Sequence, residues 1–361
     1  MNDDFATAMR RALGMTHAND PVRATAIIQE ALGRQTGHAP SDPDPIDPVA
    51  KRPGNPFASL LRDGCQPCAG GGLMQGLQLP TQPVGKGIEV PEGARYERRH
   101  HAGPAGSRHY TLYTPTDRAE GFAGIVMMLH GCTQSPDDFA RGTRMNQVAE
   151  KAGYIVAYPE QARAHNIQSC WNWFRPEDQA RGGGEPAILA GIVRDLSAEF
   201  DLPDGSAFVA GLSAGGAMAA IMAQTYPDIF AAAGIHSGLP AGSASDVISA
   251  FAAMQGNSAA RAPHATIPMI VFHGMADATV APINSERLIG GSGIETQHSG
   301  NGRSWSHFIA NDGSELWRVA QAGHAWFGGD PAGSYTDPLG PDASAEMIRF
   351  FRKIAEGESR E

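Results

Sequence analysis

The chain has 361 residues, of which 42% are hydrophobic and 18% charged, and its formal net charge at pH 7 is −10. This balance is typical of a globular protein with one large α/β domain and a small appendage. An acidic chain without a basic stripe argues against nucleic acid and anionic membranes as partners. No apolar stretch reaches the roughly 18 residues that a spanning helix needs, so we expect no membrane insertion.

The N-terminal part of the chain is expected to be an appendage. Residues 1–33 predict a helical hairpin, because two runs of helically spaced apolar residues flank an Asp20-Pro21 helix start. Residues 34–84 are rich in proline and glycine and predict a linker. The first residues are acidic and no apolar core follows them, which favours a cytoplasmic protein over a secreted one.

A catalytic domain is expected over residues 85–361, where apolar segments of strand length alternate with helical patterns. This alternation predicts a mostly parallel, doubly wound α/β sheet with helices on both faces. Residues 239–265 and 283–313 are compatible with either a cap or surface loops. The predicted strands are 109–115, 124–131, 154–160, 206–213, 231–238, 268–274 and 315–321, and the clearest helices are 184–200 and 214–225.

A nucleophile is predicted in the segment VAGLSAGGAM, where Gly211, Ser213 and Gly215 form the pattern G-x-S-x-G. The pattern lies between a predicted strand and a predicted helix, which is the context of a nucleophile elbow. Flanking glycines allow so sharp a turn, and the helix start directs N–H groups towards the site. The alternative is a structural or phosphate-binding turn.

A serine nucleophile needs a base and an orienting acid, which in a doubly wound hydrolase follow it in the order Asp or Glu, then His. Asp277 and His324 each lie just after a predicted strand and satisfy that order. Competing candidates also lie at strand ends or loops. They are His130, His236 and His273 for the base and Asp330 for the acid.

An oxyanion hole requires two backbone N–H groups that point at the developing charge. Ala214, directly after the nucleophile, is expected to supply one amide. The turn MMLHGCTQSP follows an early strand, and either Cys132 or Thr133 is expected to supply the other.

Five segments together resemble the polyhydroxybutyrate depolymerase family of esterases, which is close to feruloyl and acetylxylan esterases within the α/β-hydrolase fold. The resemblance covers roughly residues 95 to 355 and leaves the first 80 or so without a functional counterpart. The segments are LHGCTQSPDDF (129–139), CWNWF (170–174), GLSAGGAM (211–218), HGMADATVAP (273–282) and GHAWFGGD (323–330).

The resemblance implies ester hydrolysis with Ser213, Asp277 and His324 as the catalytic triad, and the Cys132 amide as an oxyanion donor. It also implies that Cys132 and Cys170 are able to form a disulfide, which would be unusual in a cytoplasmic protein. Both the bridged and the free state therefore stay open.

Aromatic residues in these segments are candidates for substrate contacts, since aromatic faces suit an apolar ester chain. The candidates are Trp171, Trp173 and Trp326, together with His236. The alternative for the tryptophans is core packing beneath the loops.

The sequence thus predicts a serine carboxylic-ester hydrolase that acts on polyhydroxyalkanoate-type polyesters, their oligomers or short-chain esters, without cofactor or metal. A feruloyl or acetylxylan esterase is the first alternative. Peptidase activity and a non-catalytic binding protein of the same fold are further ones. The single CxxC at Cys65 and Cys68 is only a weak indication of a metal or redox site.

Overall fold

The computed structural model describes residues 87–117, 119, 121–258 and 267–357. Contacts divide the chain into the units Met1–Val84 and Gly85–Glu361, and all described residues belong to the second. The predicted helical hairpin, the predicted linker and the CxxC pair lie outside the described residues and stay predictions.

A ten-stranded sheet forms the centre of the second unit, in the order β1-β2-β4-β3-β5-β6-β7-β10-β9-β8. The six strands from β4 to β10 are parallel, whereas the two outer strands on each side are antiparallel to their neighbours. The strands are β1 (Arg95–Gly103), β2 (Gly106–Thr114), β3 (Gly124–Leu129), β4 (Tyr154–Pro159), β5 (Ala207–Leu212), β6 (Phe230–His236), β7 (Met269–Gly274), β8 (Gly293–Gly300), β9 (Arg303–Ala310) and β10 (Glu315–Val319).

Helices cover both faces of this sheet. The central strands β3, β4, β5 and β7 are therefore buried along their whole length. One apolar core contains residues of α3, α4, α5 and α6, and the other contains residues of α1, α2 and α7. The helices are α1 (Pro136–Thr143), α2 (Met145–Ala152), α3 (Gly184–Glu199), α4 (Ala214–Thr225), α5 (Val247–Met254), α6 (Ile283–Leu288) and α7 (Ala343–Ala355), with a 3₁₀ turn at Pro176–Gln179.

The structure confirms the predicted doubly wound α/β architecture, and every predicted strand lies in the sheet. Two stretches that the sequence left open are now assigned. Residues 283–313 contain α6 and a hairpin of β8 and β9 that widens the sheet, and residues 239–265 contain α5. Over the described ranges, none of the helices combines the length and the apolar character needed to cross a bilayer.

Candidate active site

The carboxyl ends of four parallel strands bring the predicted site residues to one edge of the sheet. Cys132 follows β3, Ser213 follows β5, Asp277 follows β7 and His324 follows β10. In parallel α/β sheets this edge is the usual place for ligands, because the loops there converge above the strand ends. The topology therefore collects the residues of separate motifs in one place.

Ser213 occupies a strained turn between β5 and α4. Its φ of 58° and ψ of −118° are unusual for a residue with a side chain, and such strain is concentrated at functional sites. The turn needs glycine on both sides: a β-carbon at Gly215 would overlap the carbonyl oxygen of Leu129, and one at Gly211 would overlap the backbone of Gly215. The Ser213 side chain does not cap α4, so its hydroxyl is not used by the helix.

His324 and Asp277 form a short hydrogen bond, with 2.7 Å between Nδ1 and Oδ2. The Asp277 side chain has no exposed surface, whereas 11% of the His324 side chain is exposed. The backbone N–H groups of Thr279 and Val280 donate to the other carboxylate oxygen, at 2.8 and 2.9 Å. The carboxylate is thus held from two sides, and it orients the imidazole with Nε2 left for other partners.

The Asp277 carboxylate stays ionised in this setting. Burial opposes its charge, but hydrogen bonds from His273 and His324, the attraction of His324 and the Val280 N–H outweigh burial and hold the pKa of Asp277 well below its usual range. His273 lies entirely within the protein, with Nε2 2.9 Å from the Val280 carbonyl oxygen and 3.5 Å from Asp277 Oδ2. His273 is therefore a second, fully buried histidine that helps to stabilise the Asp277 carboxylate.

The amides near the serine distinguish between Cys132, which the family resemblance implies as an oxyanion donor, and Thr133, which the residue pattern alone also allows. The Thr133 N–H donates to the Gln168 carbonyl oxygen at 2.8 Å and is not available to a ligand. Within the described part of the chain, the N–H groups of Cys132 and Ala214 have no hydrogen-bond partner. Ala214 is the first residue of α4, so its amide lies at the positive end of the helix dipole.

A disulfide joins Cys132 to Cys170 and so connects the loop after β3 to the CWNWF segment. Of the two states that the sequence left open, bridged and free, the structure contains the bridged one. The same two loops are also joined by the hydrogen bond from Thr133 to Gln168 and by one from Trp171 Nε1 to the His130 carbonyl oxygen, at 3.0 Å.

A buried carboxylate anchors the CWNWF segment from the side of α3. Glu185 accepts hydrogen bonds from the Asn172 backbone at 2.8 Å, from the Asn172 side chain at 2.9 Å and from the Gln161 side chain at 2.5 Å. Burial raises the pKa of Glu185, although these donors and nearby Arg108 act in the opposite direction. Gln161 also donates to the Cys170 carbonyl oxygen at 2.9 Å, so the network reaches the disulfide.

The proposed substrate contacts require a correction. Trp171, Trp326 and His236 are 0 to 1% exposed and Trp173 is 6% exposed, so their side chains pack in the core beneath the loops. Trp326 contacts Phe139 edge-to-face and donates from Nε1 to the Ser344 hydroxyl. This placement supports core packing: Trp171, Trp326 and His236 have almost no surface with which to contact a substrate, and Trp173 has little.

His236 supports the site from within. Its carbonyl oxygen accepts the Ser213 N–H at 2.9 Å, and its Nε2 accepts the Phe327 N–H at 3.2 Å. Burial lowers the pKa of His236 well below the usual value, and neighbouring histidines add to this effect. A neutral ring that accepts at Nε2 and donates from Nδ1 to the Ser237 hydroxyl is therefore a structural element and not a competing base.

His130 is excluded as the base on similar grounds. It is 1% exposed, its Nδ1 donates to the Gly131 carbonyl oxygen and its Nε2 accepts the Gln161 N–H. Burial lowers the pKa of His130 to about 4. Asp330, the alternative acid, uses its carboxylate to accept the Ala332 N–H within its own turn.

Three residues that the sequence reading missed connect the oxyanion loop to the loop after His324. Asp138 accepts hydrogen bonds from the Gln134 side chain at 3.1 Å and from the Ser334 N–H at 3.0 Å, and it also accepts one from the Ser334 hydroxyl. Gln134 in turn accepts the Gly131 N–H at 2.9 Å. Gln134 and Asp138 belong to the quoted segment LHGCTQSPDDF, but nothing in its pattern pointed to a partner some 200 residues away.

No set of three or more His, Cys, Asp or Glu side chains is arranged to hold a metal ion in the ranges that the structure describes. The groups gathered at the edge of the sheet are a strained serine, an imidazole oriented by a carboxylate, and two unpaired amides. This set fits nucleophilic attack with general-base assistance.

Comparison with curated proteins places this site in context. The chain is 33% identical to a poly(3-hydroxyalkanoate) depolymerase C of Paucimonas lemoignei over 46% of this chain and 44% of that protein. It is 32% identical to acetylxylan esterase A of Aspergillus oryzae over 48% of this chain and 62% of that protein. A feruloyl esterase B of Neurospora crassa is 27% identical over 70% of this chain and 89% of that protein. The chain spans about half the length of the first curated relatives that it matches.

Comparison with solved structures supports the fold. An acetyl xylan esterase from Aspergillus awamori superposes with a TM-score of 0.57 at 22% identity, over 71% of this chain and 99% of that one. At this identity the likeness establishes the α/β-hydrolase fold and not the substrate. The family model described as "Esterase PHB depolymerase" matches residues 108–292, more than half of the chain. The chain therefore belongs to the PHB depolymerase family of esterases.

Proposed function

We propose that the protein hydrolyses carboxylic esters through a covalent acyl-enzyme. The observation that carries this proposal is the 2.7 Å hydrogen bond between His324 and Asp277, at the sheet edge where Ser213 is presented on its strained turn. Family membership supports the same reaction class.

In the first step, Ser213 Oγ attacks the ester carbonyl carbon and transfers its proton to His324 Nε2. Asp277 accepts from Nδ1, keeps the ring in the tautomer with a free Nε2 and stabilises the imidazolium that forms. The alcohol then leaves with the proton from Nε2. Water adds to the acyl-enzyme with the same base, and the carboxylic acid departs as the serine regains its proton.

The negative oxygen of each tetrahedral intermediate is stabilised by the amides of Cys132 and Ala214. The unpaired state of both N–H groups supports this assignment, as does the position of Ala214 at the start of α4. The disulfide holds the Cys132 amide in place, because it ties that loop to a segment anchored on Glu185.

The substrates that we propose are polyhydroxyalkanoate-type polyesters, their oligomers and short-chain esters. The depolymerase among the relatives supports this choice, and the acetylxylan and feruloyl esterases keep acetylated or feruloylated polysaccharide as the second candidate. A substrate panel separates the two. It contains p-nitrophenyl esters of rising chain length, hydroxybutyrate oligomers, acetylated xylan fragments and methyl ferulate.

The deciding experiment is Ser213→Ala with p-nitrophenyl butyrate as substrate, combined with labelling by a fluorophosphonate. We expect the variant to lose turnover and labelling while the urea midpoint of unfolding stays close to that of the wild type. Ser206→Ala is the matched control, since Ser206 lies just before the opposite end of the same strand. Turnover that survives in Ser213→Ala would disprove the proposed function, and a wild type that neither turns over nor labels would favour the binding-protein alternative.

Cytoplasmic location, expected from the sequence, stays a prediction. The Cys132–Cys170 disulfide weighs against it, because disulfides persist mainly in oxidising compartments. Thiol alkylation in intact cells, followed by mass spectrometry of both cysteines, measures which state the protein has where it resides.

A further inference from the structure

Two large exposed side chains flank the loop that carries the proposed oxyanion donor. Tyr335 is 47% exposed, and its hydroxyl lies 3.2 Å from the Thr133 hydroxyl. Ile167 is 85% exposed, and the carbonyl oxygen of the next residue, Gln168, accepts the Thr133 N–H. We propose that Tyr335 is a specificity-determining residue that donates a hydrogen bond to a second ester carbonyl of an oligoester substrate. This inference rests on the ester hydrolase function proposed above.

The contact with Thr133 places the Tyr335 hydroxyl at the loop that carries Cys132. Thr133 follows Cys132 directly and has a φ of 65°. Its hydroxyl donates to the Cys132 carbonyl oxygen at 2.6 Å and lies 3.2 Å from the Tyr335 hydroxyl. The phenol therefore lies near Cys132, the residue whose N–H is the proposed oxyanion donor, and we infer that a substrate chain longer than the attacked ester would pass close to it.

The proton of the Tyr335 phenol is available to a ligand. Because the Thr133 proton is donated to Cys132, the phenol must be the donor in the contact between the two hydroxyls. A separation of 3.2 Å is longer than the roughly 2.5–3.0 Å of a good O–H···O bond. The Tyr335 side chain has no other hydrogen bond among the residues that the structure describes. If the phenol leaves Thr133 to donate to a substrate carbonyl, it therefore loses only one long, weak hydrogen bond.

The backbone of Tyr335 is held firmly, although its ring is exposed. Its carbonyl oxygen accepts the Trp326 N–H at 2.8 Å, and the preceding Ser334 is bound to Asp138. The φ of 51° is uncommon for an aromatic residue, and such strain persists only where surrounding contacts impose it. The ring is therefore presented in a defined place, and Trp326 connects it to the loop of His324.

Ile167 supplies an exposed apolar surface close to Thr133. The carbonyl oxygen of the next residue, Gln168, accepts the Thr133 N–H, which brings the exposed isoleucine to the rim of the same loop. A phenol donor and an alkyl surface near the same residue match a chain that alternates ester carbonyls with short alkyl groups. A hydroxyalkanoate oligomer has this chemistry, whereas a simple monoester has only the carbonyl under attack.

The test compares Tyr335→Phe with wild type on a 3-hydroxybutyrate trimer methyl ester and on p-nitrophenyl butyrate. One hydrogen bond is worth about 0.5–1.5 kcal/mol, so we expect the ratio of trimer to monoester kcat/KM to fall about 2- to 13-fold, mainly through the trimer KM. Tyr96→Phe is the matched control, because it also removes a phenol hydroxyl. Tyr96 lies on the outer strand β1, and its hydroxyl donates to the Asp137 carboxylate.

Thr133→Val distinguishes substrate binding from a structural role of the same contact. If Tyr335 binds substrate, this variant keeps or raises the ratio, because the phenol proton loses its resting acceptor. If the pair only holds the oxyanion loop, Tyr335→Phe and Thr133→Val lower kcat alike on both substrates, and the proposal is overturned. An unchanged ratio in Tyr335→Phe, or a wild type that cleaves the monoester but not the trimer, also overturns it. A wild type that hydrolyses neither substrate would instead count against the proposed function itself.

Discussion

Removal of the Cys132–Cys170 disulfide is expected to affect both stability and catalysis. The bond closes a loop with a sequence separation of 38 residues. In the chain-entropy model such a loop lowers the entropy of the unfolded chain enough to stabilise the fold by about 4 kcal/mol. For a domain of this size we expect the double variant Cys132→Ala and Cys170→Ala to melt roughly 10 °C lower.

Removal of the disulfide is predicted to lower kcat less than removal of an oxyanion donor would. The Cys132→Ala change leaves the backbone N–H in place, and the bond from Thr133 to Gln168 still joins the two loops. We therefore expect kcat to fall by more than about tenfold, but by less than the roughly 100- to 1000-fold that follows removal of a donor. The assays are urea unfolding, thermal melting and p-nitrophenyl butyrate hydrolysis.

The control is the pair Cys65→Ser and Cys68→Ser, which removes two cysteines that lie outside the described residues. An unfolding free energy that stays the same in the Cys132 and Cys170 variant would refute the loop-closure estimate. Loss of about 4 kcal/mol with an unchanged kcat would refute the second part of the reasoning, because the oxyanion loop would then keep its position without the bridge.

Three further predictions concern Asp277, Asp138 and the buried histidines. Asp277→Asn should lower kcat by roughly 10³- to 10⁴-fold, since an amide no longer enforces the productive tautomer of the base, and a loss below tenfold would contradict that role. Asp138→Ala should lower the unfolding free energy by about 1–3 kcal/mol and reduce kcat, because both loops that Asp138 supports would loosen. Asp137→Ala, measured by the same urea and ester assays, should change both quantities less. His130 and His236 have pKa values below the usual 6.5 when folded, so the unfolded chain binds protons that the folded chain does not as the pH falls below 6.5. The unfolding free energy should therefore decrease between pH 7.5 and pH 5, by about 2 kcal/mol from His130 and in the same direction from His236, and a urea series that shows no such decrease would contradict the neutral buried state.

Much of the fold was predictable because its strands are buried on both faces. Continuous apolar runs such as 124–131 and 268–274 indicate a parallel sheet without any alignment. The hairpin of β8 and β9 gave no such indication, since all eight residues of β8 are exposed and its sequence GIETQHSG has no apolar alternation. A polar edge strand is recognised only when its partner is known.

The candidate site was predictable as far as chemistry follows chain order. Asp277 and His324 could be inferred because each follows a strand, and the structure joins them by a hydrogen bond. The family resemblance pointed to Cys132, but the residue pattern alone could not separate Cys132 from Thr133, because that choice depends on a carbonyl of Gln168 in another loop. The tryptophans were misjudged for a related reason: the sequence shows that a ring is near the site, but not which face of the loop it occupies.

The shared use of Asp138 has a consequence for attempts to alter this enzyme. One carboxylate holds Gln134 in the oxyanion loop and Ser334 beside Tyr335, so the rim that would select substrates and the amide that would stabilise charge are mechanically linked. A mutant library that diversifies residues 331–337 would shift the oxyanion loop along with the rim. Variants with a new substrate range are therefore expected to lose turnover at first, and compensating changes should arise in α1.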